Sequence, residues 1–193
     1  MIFTYEEGAT PFNEDDADKL IPNHIRTQHQ LNEWEQANIL VAERYLFSRK
    51  RRNILTIEFI NRIHKKMFDQ TWKWAGSFRK HQTNIGVKPY EITSCLKMLC
   101  DDAQFWVDNQ TYEAEEIAVR FHHRLVAIHP YPNGNGRLSR LMGDTILYSL
   151  KNKRLSWGRI SLVQASETRQ EYIRCLREAD QGNYADLLRF AVS

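Results

Sequence analysis

Apolar residues recur at helical spacing along most of the chain, and the turns between these stretches are short and polar. Leu31, Trp34, Ile39, Val41 and Leu46, widened by Leu40 and Tyr45, mark the buried face of a helix over about 28–48. A second helix over about 56–69 buries Ile57, Phe59, Ile60, Ile63 and Met67. A third, over about 92–108, uses Ile92, Cys95, Leu96, Leu99, Ala103 and Trp106. Ile117, Phe121, Leu125 and Ile128 form the stripe of a fourth over about 113–129. A polar, glycine-rich turn interrupts it, and helicity resumes at about 137–151 through Leu138, Leu141, Met142, Ile146 and Leu150. The C-terminal third predicts helices near 166–181 and 183–191, with Gly182 capping the first. Residues 71–91 differ: Trp72, Trp74 and Phe78 lead into alternating β-formers around Asn84-Ile85-Gly86, which predict a short hairpin. The class is mainly α, with one small β element.

Residues 1–26 are polar and turn-rich, broken by Gly8, Pro11, Pro22 and Asn23, with six acidic residues between Glu6 and Asp18. They read as an N-terminal arm over the surface, which leaves 27–193 as one domain. A chain of 193 residues, 42% hydrophobic, is long enough to bury a sizeable core. Lys and Arg number 27 against 24 Asp and Glu, a net charge of +3 that argues against bulk nucleic-acid binding. No apolar run approaches the roughly 18 residues of a membrane span. The acidic start lacks a signal pattern, and three cysteines form neither a CxxC nor a disulfide framework, so a cytoplasmic globular protein is expected. Cys95 and Cys100 fall at core positions as small apolar groups. The basic cluster Ser48 to Arg52 complements the dipole at the end of the first helix.

The chemistry concentrates in Ile128-His129-Pro130-Tyr131-Pro132-Asn133-Gly134-Asn135-Gly136-Arg137-Leu138-Ser139-Arg140. Pro130 and Pro132 stop the preceding helix and hold His129 at its end, facing the loop. Gly134 and Gly136 permit positive φ and bring bare N–H groups near a ligand. A helix starts at once, so unpaired donors and the positive dipole end converge where a phosphate would bind. Arg137 and Arg140 share one side of the first turn and can fork onto phosphate oxygens. A base beside a phosphate cradle suits phosphoryl or nucleotidyl transfer. Metal hydrolysis fits less well, because His122, His123 and His129 include no i, i+4 pair. Most Trp and Phe positions have core spacing rather than the look of a base-stacking surface.

The stretch HPYPNGNGRLSR resembles the Fic signature, His-Pro-Phe-x-(Asp/Glu)-Gly-Asn-Gly-Arg-x-x-Arg. The likeness extends over WKWAGSFR (Trp72 to Arg79), NIGV, FHHRLVAI and the ending GNYADLLRF; the N-terminal portion is most similar to short bacterial Fic proteins of the mobile mystery protein B type. The resemblance implies a Fic fold, a bundle of about eight helices with a β-hairpin flap beside the active-site loop. It implies a protein adenylyltransferase that moves AMP from ATP to a Ser, Thr or Tyr hydroxyl of a target protein and releases pyrophosphate. By position, His129 is then the general base, and Gly134, Asn135 and Gly136 line the anion hole. Arg137 takes the β-phosphate and Arg140 the γ-phosphate, while Asn84, Ile85, Gly86 and Val87 form the flap that docks the target. The alternatives are a catalytically weak Fic scaffold or binding module, and a transferase using UTP, GTP or CDP-choline. The target protein stays open, as do self-modification and homo-oligomer formation.

Two positions depart from the signature. Tyr131 replaces the usual Phe, and its hydroxyl needs a partner. Asn133 replaces the Asp or Glu that ligates Mg²⁺; a neutral amide oxygen still coordinates a hard cation but contributes no charge. Many Fic proteins are restrained by a helix carrying (Ser/Thr)-x-x-x-Glu-(Gly/Asn), whose Glu pairs with the second motif Arg. The nearest sequence here is Leu31-Asn32-Glu33-Trp34-Glu35-Gln36, within the 28–48 helix. On this resemblance Glu35, or Glu33 in second place, is expected to reach Arg140 and inhibit.

Overall fold

In a computed structural model that describes residues 19–159 and 167–193, seven α-helices account for most of the described chain. They are α1 (Gln28–Phe47), α2 (Ile57–Phe68), α3 (Ile92–Asp108), α4 (Ala114–Ile128), α5 (Asn135–Lys151), α6 (Glu167–Asp180) and α7 (Ala185–Val192). All seven lie where the apolar periodicity places them. Residues 1–18 of the expected arm lie outside the described residues. No helix among the described residues is long and apolar enough to cross a membrane.

Local sequence explains the boundaries. Thr27 starts α1 with a capping box: its hydroxyl accepts the Gln30 N–H, and the Gln30 side chain accepts the Thr27 N–H. Thr56 caps α2 through the Phe59 N–H. The basic cluster closes α1 as expected, with the Arg51 guanidinium on the Tyr45 ring and donating to the Tyr45 carbonyl. Lys50 donates to the Ser149 carbonyl near the end of α5.

The antiparallel pair α4–α5 forms the centre, with α3 against α4, α1 against α2, and α7 against α4 and α6. Phe121, Leu125, Leu138 and Met142 fill the space between the central helices, while Trp72, Phe68 and Tyr131 are enclosed beside the loop that joins them. His122 and His123 are both buried. His122 meets the Tyr172 hydroxyl at 3.2 Å, and His123 joins Asp180 (2.8 Å) to the Tyr184 hydroxyl (3.1 Å), which fastens α4 to the end of α6. Cys100 and Cys175 are buried free thiols, and Cys95 is partly covered.

Two expectations change. The buried stripe of α1 is Leu31, Glu35, Asn38, Ile39, Ala42 and Leu46, whereas Trp34, Leu40 and Val41 are exposed. Two polar residues thus occupy the core-facing side, each because it meets a buried partner. Asn38 accepts the Gln70 N–H and donates to the Lys66 carbonyl; Glu35 accepts the Trp72 indole N–H at 2.7 Å. The hairpin is absent as well: residues 80–88 form bends, and the bridge Leu20–Trp72 is the sole β pairing among the described residues. Side chains satisfy the carbonyls that a partner strand would have used. Gln82 donates to the Gly86 carbonyl, Thr83 to that of Ile85, and Arg79 to those of His81 and Val87.

Candidate active site

The loop between α4 and α5 is built from its own sequence. His129 ends α4 in the left-handed region (φ 54, ψ 58), with its N–H still donating to the Leu125 carbonyl. For a residue with a Cβ this geometry is strained, by about 1–2 kcal/mol. Arg79 holds it in place: its Nε donates to the His129 carbonyl at 2.6 Å and its backbone N–H to the Pro130 carbonyl at 3.0 Å. Tyr131 is fully buried, stacked on His64 with ring centroids 3.7 Å apart, and its hydroxyl donates to Asn61 Oδ1 at 2.5 Å. The polar tip of this unusual anchor therefore has its partner. His64 Nδ1 accepts the Gly76 N–H, so its Nε2 carries the proton and donates to the Asn133 carbonyl at 3.1 Å. The Asn135 side chain bonds the Tyr131 N–H and carbonyl at once, cinching residues 131–135 into a closed turn.

Gly134 enters α5 at φ +79, and a Cβ there would lie 2.4 Å from the Phe68 ring. The first intrahelical bond runs from the Leu138 N–H to the Gly134 carbonyl. The amides of Asn135, Gly136 and Arg137 therefore have no intrahelical acceptor. Arg137 lies over the Phe68 ring, 5.0 Å from its centroid, and pairs with the Glu35 carboxylate at 2.7 Å. Arg140 lies one turn on, 5.5 Å from the Tyr172 ring centroid.

Burial, reinforced by the Arg79 charge and opposed by a hydrogen bond with the Val126 carbonyl, lowers the His129 pKa to about 4. The imidazole is therefore neutral at pH 7, the form that accepts a proton. Burial likewise takes His64 down to about 3 and His122 well below its ordinary value, while it raises Asp144 to about 6. Below pH 6.5 the unfolded chain takes up three imidazole protons that the folded chain refuses. Below pH 6 the folded chain takes up one, at Asp144, ahead of the unfolded one. Because more imidazole protons are refused than Asp144 takes up, stability should fall as the pH drops from 7 to 5. Urea midpoints at pH 7 and pH 5 check this; equal midpoints would refute it.

The structure places His129 at the end of α4, and Gly134, Asn135, Gly136, Arg137 and Arg140 at the start of α5, across one short loop. Residues 84–87, expected as the flap, approach His129, since a Cβ on Gly86 would fall 2.6 Å from the His129 Cβ. Other assignments change. Glu35 meets Arg137 and not Arg140, because Arg137 projects across Phe68 towards α1 while Arg140 turns to Tyr172 of α6. Glu33 is exposed and pairs with His29. Asn133 Oδ1 accepts the Gly134 N–H at 2.6 Å, so it caps its own loop. Among the described residues no group of three or more His, Cys, Asp or Glu could hold a metal ion. Asn133 thus offers a cation one neutral oxygen, which already accepts the Gly134 N–H. Sequence reasoning missed Arg79, His64 and Tyr172. Of these only His64 had a local signal: it sits in the apolar stripe of α2, where a polar ring needs partners.

A family model described as Fic/DOC family matches residues 54–147. The chain is 26% identical over 140 residues to Protein adenylyltransferase Fic of Drosophila melanogaster, covering 70% of this chain and 27% of that one. It is 25% identical over 142 residues to the protein of the same name from Aedes aegypti, again spanning 27% of the relative's length. Among solved structures, BepC from Bartonella tribocorum, a VirB-translocated effector with bound AMPPNP, superposes with a TM-score of 0.70 at 16% identity over 92% of this chain and 96% of that one. Fic-1 from C. elegans gives 0.69 at 23% identity over 92% and 51%.

Proposed function

We propose, on the footing that this chain is a Fic/DOC family protein through residues 54–147, that it is a protein adenylyltransferase. It transfers AMP from ATP to a Ser, Thr or Tyr hydroxyl of a protein and releases pyrophosphate. The observation that carries this is the pairing of a buried, neutral His129 with a glycine-lined helix start that bears two arginines. The incoming hydroxyl gives its proton to the imidazole as its oxygen bonds to the α-phosphorus, and the bond from that phosphorus to pyrophosphate breaks. The free amides of Asn135, Gly136 and Arg137 receive phosphate oxygens. Arg137 takes the β-phosphate once it leaves Glu35, and Arg140 the γ-phosphate. The 84–87 flap, packed on His129, is where a target segment docks. A divalent cation would be held chiefly by the phosphates, since Asn133 gives it no charge and is already engaged.

The test is mass spectrometry of the purified chain, alone and with candidate acceptors, after incubation with ATP. One adenylyl adduct is expected, absent with His129→Ala. No adduct on any acceptor would overturn the reading in favour of a binding module, the alternative that the engaged Asn133 favours. An adduct from UTP, GTP or CDP-choline alone would keep the chemistry and change the donor.

A further inference from the structure

Arg79 is buried, yet no described carboxylate forms an ion pair with it. Its guanidinium instead donates to backbone carbonyls on two separate segments. Nε reaches His129 at 2.6 Å, Nη1 reaches His81 at 3.0 Å, and Nη2 reaches Val87 and, at 3.5 Å, Ile128. Two backbone bonds run beside the fork, from the Arg79 N–H to the Pro130 carbonyl and from the Val87 N–H to the Ile128 carbonyl at 3.3 Å. His81 and Val87 are the two feet of the flap, and residues 128–130 are the turn that presents His129. A buried cation without a counter-ion is costly, and its only return here is this cross-link between the two segments. Lysine lacks the planar fork to make it.

We propose that Arg79 is the positioning residue that makes the flap and the His129 turn one mechanical unit, so that the target-docking edge and the base keep a fixed relation. This rests on the reading of His129 as the base. Gly86 fits the same arrangement: a Cβ there would lie 2.6 Å from the His129 Cβ and 2.8 Å from Arg79 Nη2. Only a bare backbone lets the flap close onto both. The guanidinium also acts on the ring electrostatically. It is the charged group facing His129, and it adds to burial against the opposing Val126 carbonyl in keeping the imidazole neutral.

The experiment compares Arg79→Gln and Arg79→Lys with the parent chain, each checked for fold by circular dichroism. It reads ATP affinity by calorimetry, AMP transfer, amide exchange, and the His129 ring titration by NMR. Both variants should bind ATP within about threefold of the parent, because the α5 turn is untouched. Both should lose about a hundredfold in transfer, the cost of a base displaced by about 1 Å. Exchange should quicken at 81–87 and 129–131 and not in α3 or α6. The ring pKa should rise in Arg79→Gln and stay low in Arg79→Lys, a split that a purely structural role would not produce. Parent-like exchange and titration in folded variants would overturn the proposal, as would exchange that quickens evenly throughout. If the parent itself transfers no AMP, the functional reading fails while exchange and titration still decide the role of Arg79. Should neither Arg79 variant fold, Gly86→Ala must quicken the flap amides and move the His129 ring signals, and parent-like behaviour would overturn the proposal.

Discussion

Glu35→Gln is expected to tighten ATP binding tenfold to a hundredfold and to raise AMP transfer, while it lowers the stability of the chain. Glu35 is 3% exposed, and its two oxygens have separate duties: one accepts the Trp72 indole N–H at 2.7 Å, the other holds Arg137 at 2.7 Å. Arg137 is the first arginine after the glycine turn, and in the proposed reaction it holds the β-phosphate. With Glu35 in place, a nucleotide must displace a carboxylate before it can use that guanidinium. A glutamine keeps an oxygen for Trp72 and removes the charge that competes with phosphate. The expected affinity gain corresponds to about 1.4–2.7 kcal/mol. Breaking a buried pair by removing one partner costs about 3–5 kcal/mol, and the 22% exposure of the Arg137 side chain brings this towards about 1–3. Thermal melts and ATP calorimetry on the two proteins read both effects. Equal ATP affinities would make Glu35 a structural bridge between α1, Trp72 and α5 and nothing more. The contact differs from the one the resemblance implies, since it engages Arg137, the arginine proposed for the β-phosphate, while Arg140 turns to the Tyr172 ring.

How far the sequence reveals this molecule depends on how local the cause is. Helix positions were legible because burial repeats every three or four residues, and every described helix sits where that repeat places it. The glycine-rich turn between α4 and α5 was legible for the same reason: the prolines, glycines and arginines that make it act within one short stretch. The orientation of α1 was not, because Glu35 and Asn38 look like solvent-facing residues until Trp72, Arg137 and Gln70 come near. Those partners are between 32 and 102 residues away. The hairpin failed likewise, since alternating β-formers describe a strand only if its carbonyls are free to pair, and Arg79 claims two of them. Asn135 was legible by position and not by role. It was expected to line the anion hole, and what the sequence did not show is that its side chain also closes the loop by bonding the Tyr131 N–H and carbonyl.

The two glycines of the turn should respond to alanine in opposite ways, which separates folding from binding. At Gly134, φ is +79 and the new Cβ would sit 2.4 Å from two atoms of the Phe68 ring, which is fully enclosed and cannot retreat. Left-handed strain of about 1–2 kcal/mol and overpacking of about 1–3 kcal/mol place the loss for Gly134→Ala at about 2–5 kcal/mol. At Gly136 the backbone is helical, and the one atom near a new Cβ is Arg140 Nη1 at 3.7 Å, an ordinary contact. Alanine there should leave the melting temperature unchanged or raise it, because it removes freedom from the unfolded chain worth about 0.4–1 kcal/mol. Packing thus gives no reason for Gly136 to lack a side chain, and the remaining reason is the room a phosphate needs to approach the first amides of α5. Gly136→Ala should therefore fold as well as the parent and bind ATP at least tenfold more weakly, about 1.4 kcal/mol or more. If its ATP affinity instead matched the parent's, the start of α5 would not be the seat of the triphosphate. His129 would then have no α-phosphorus held before it.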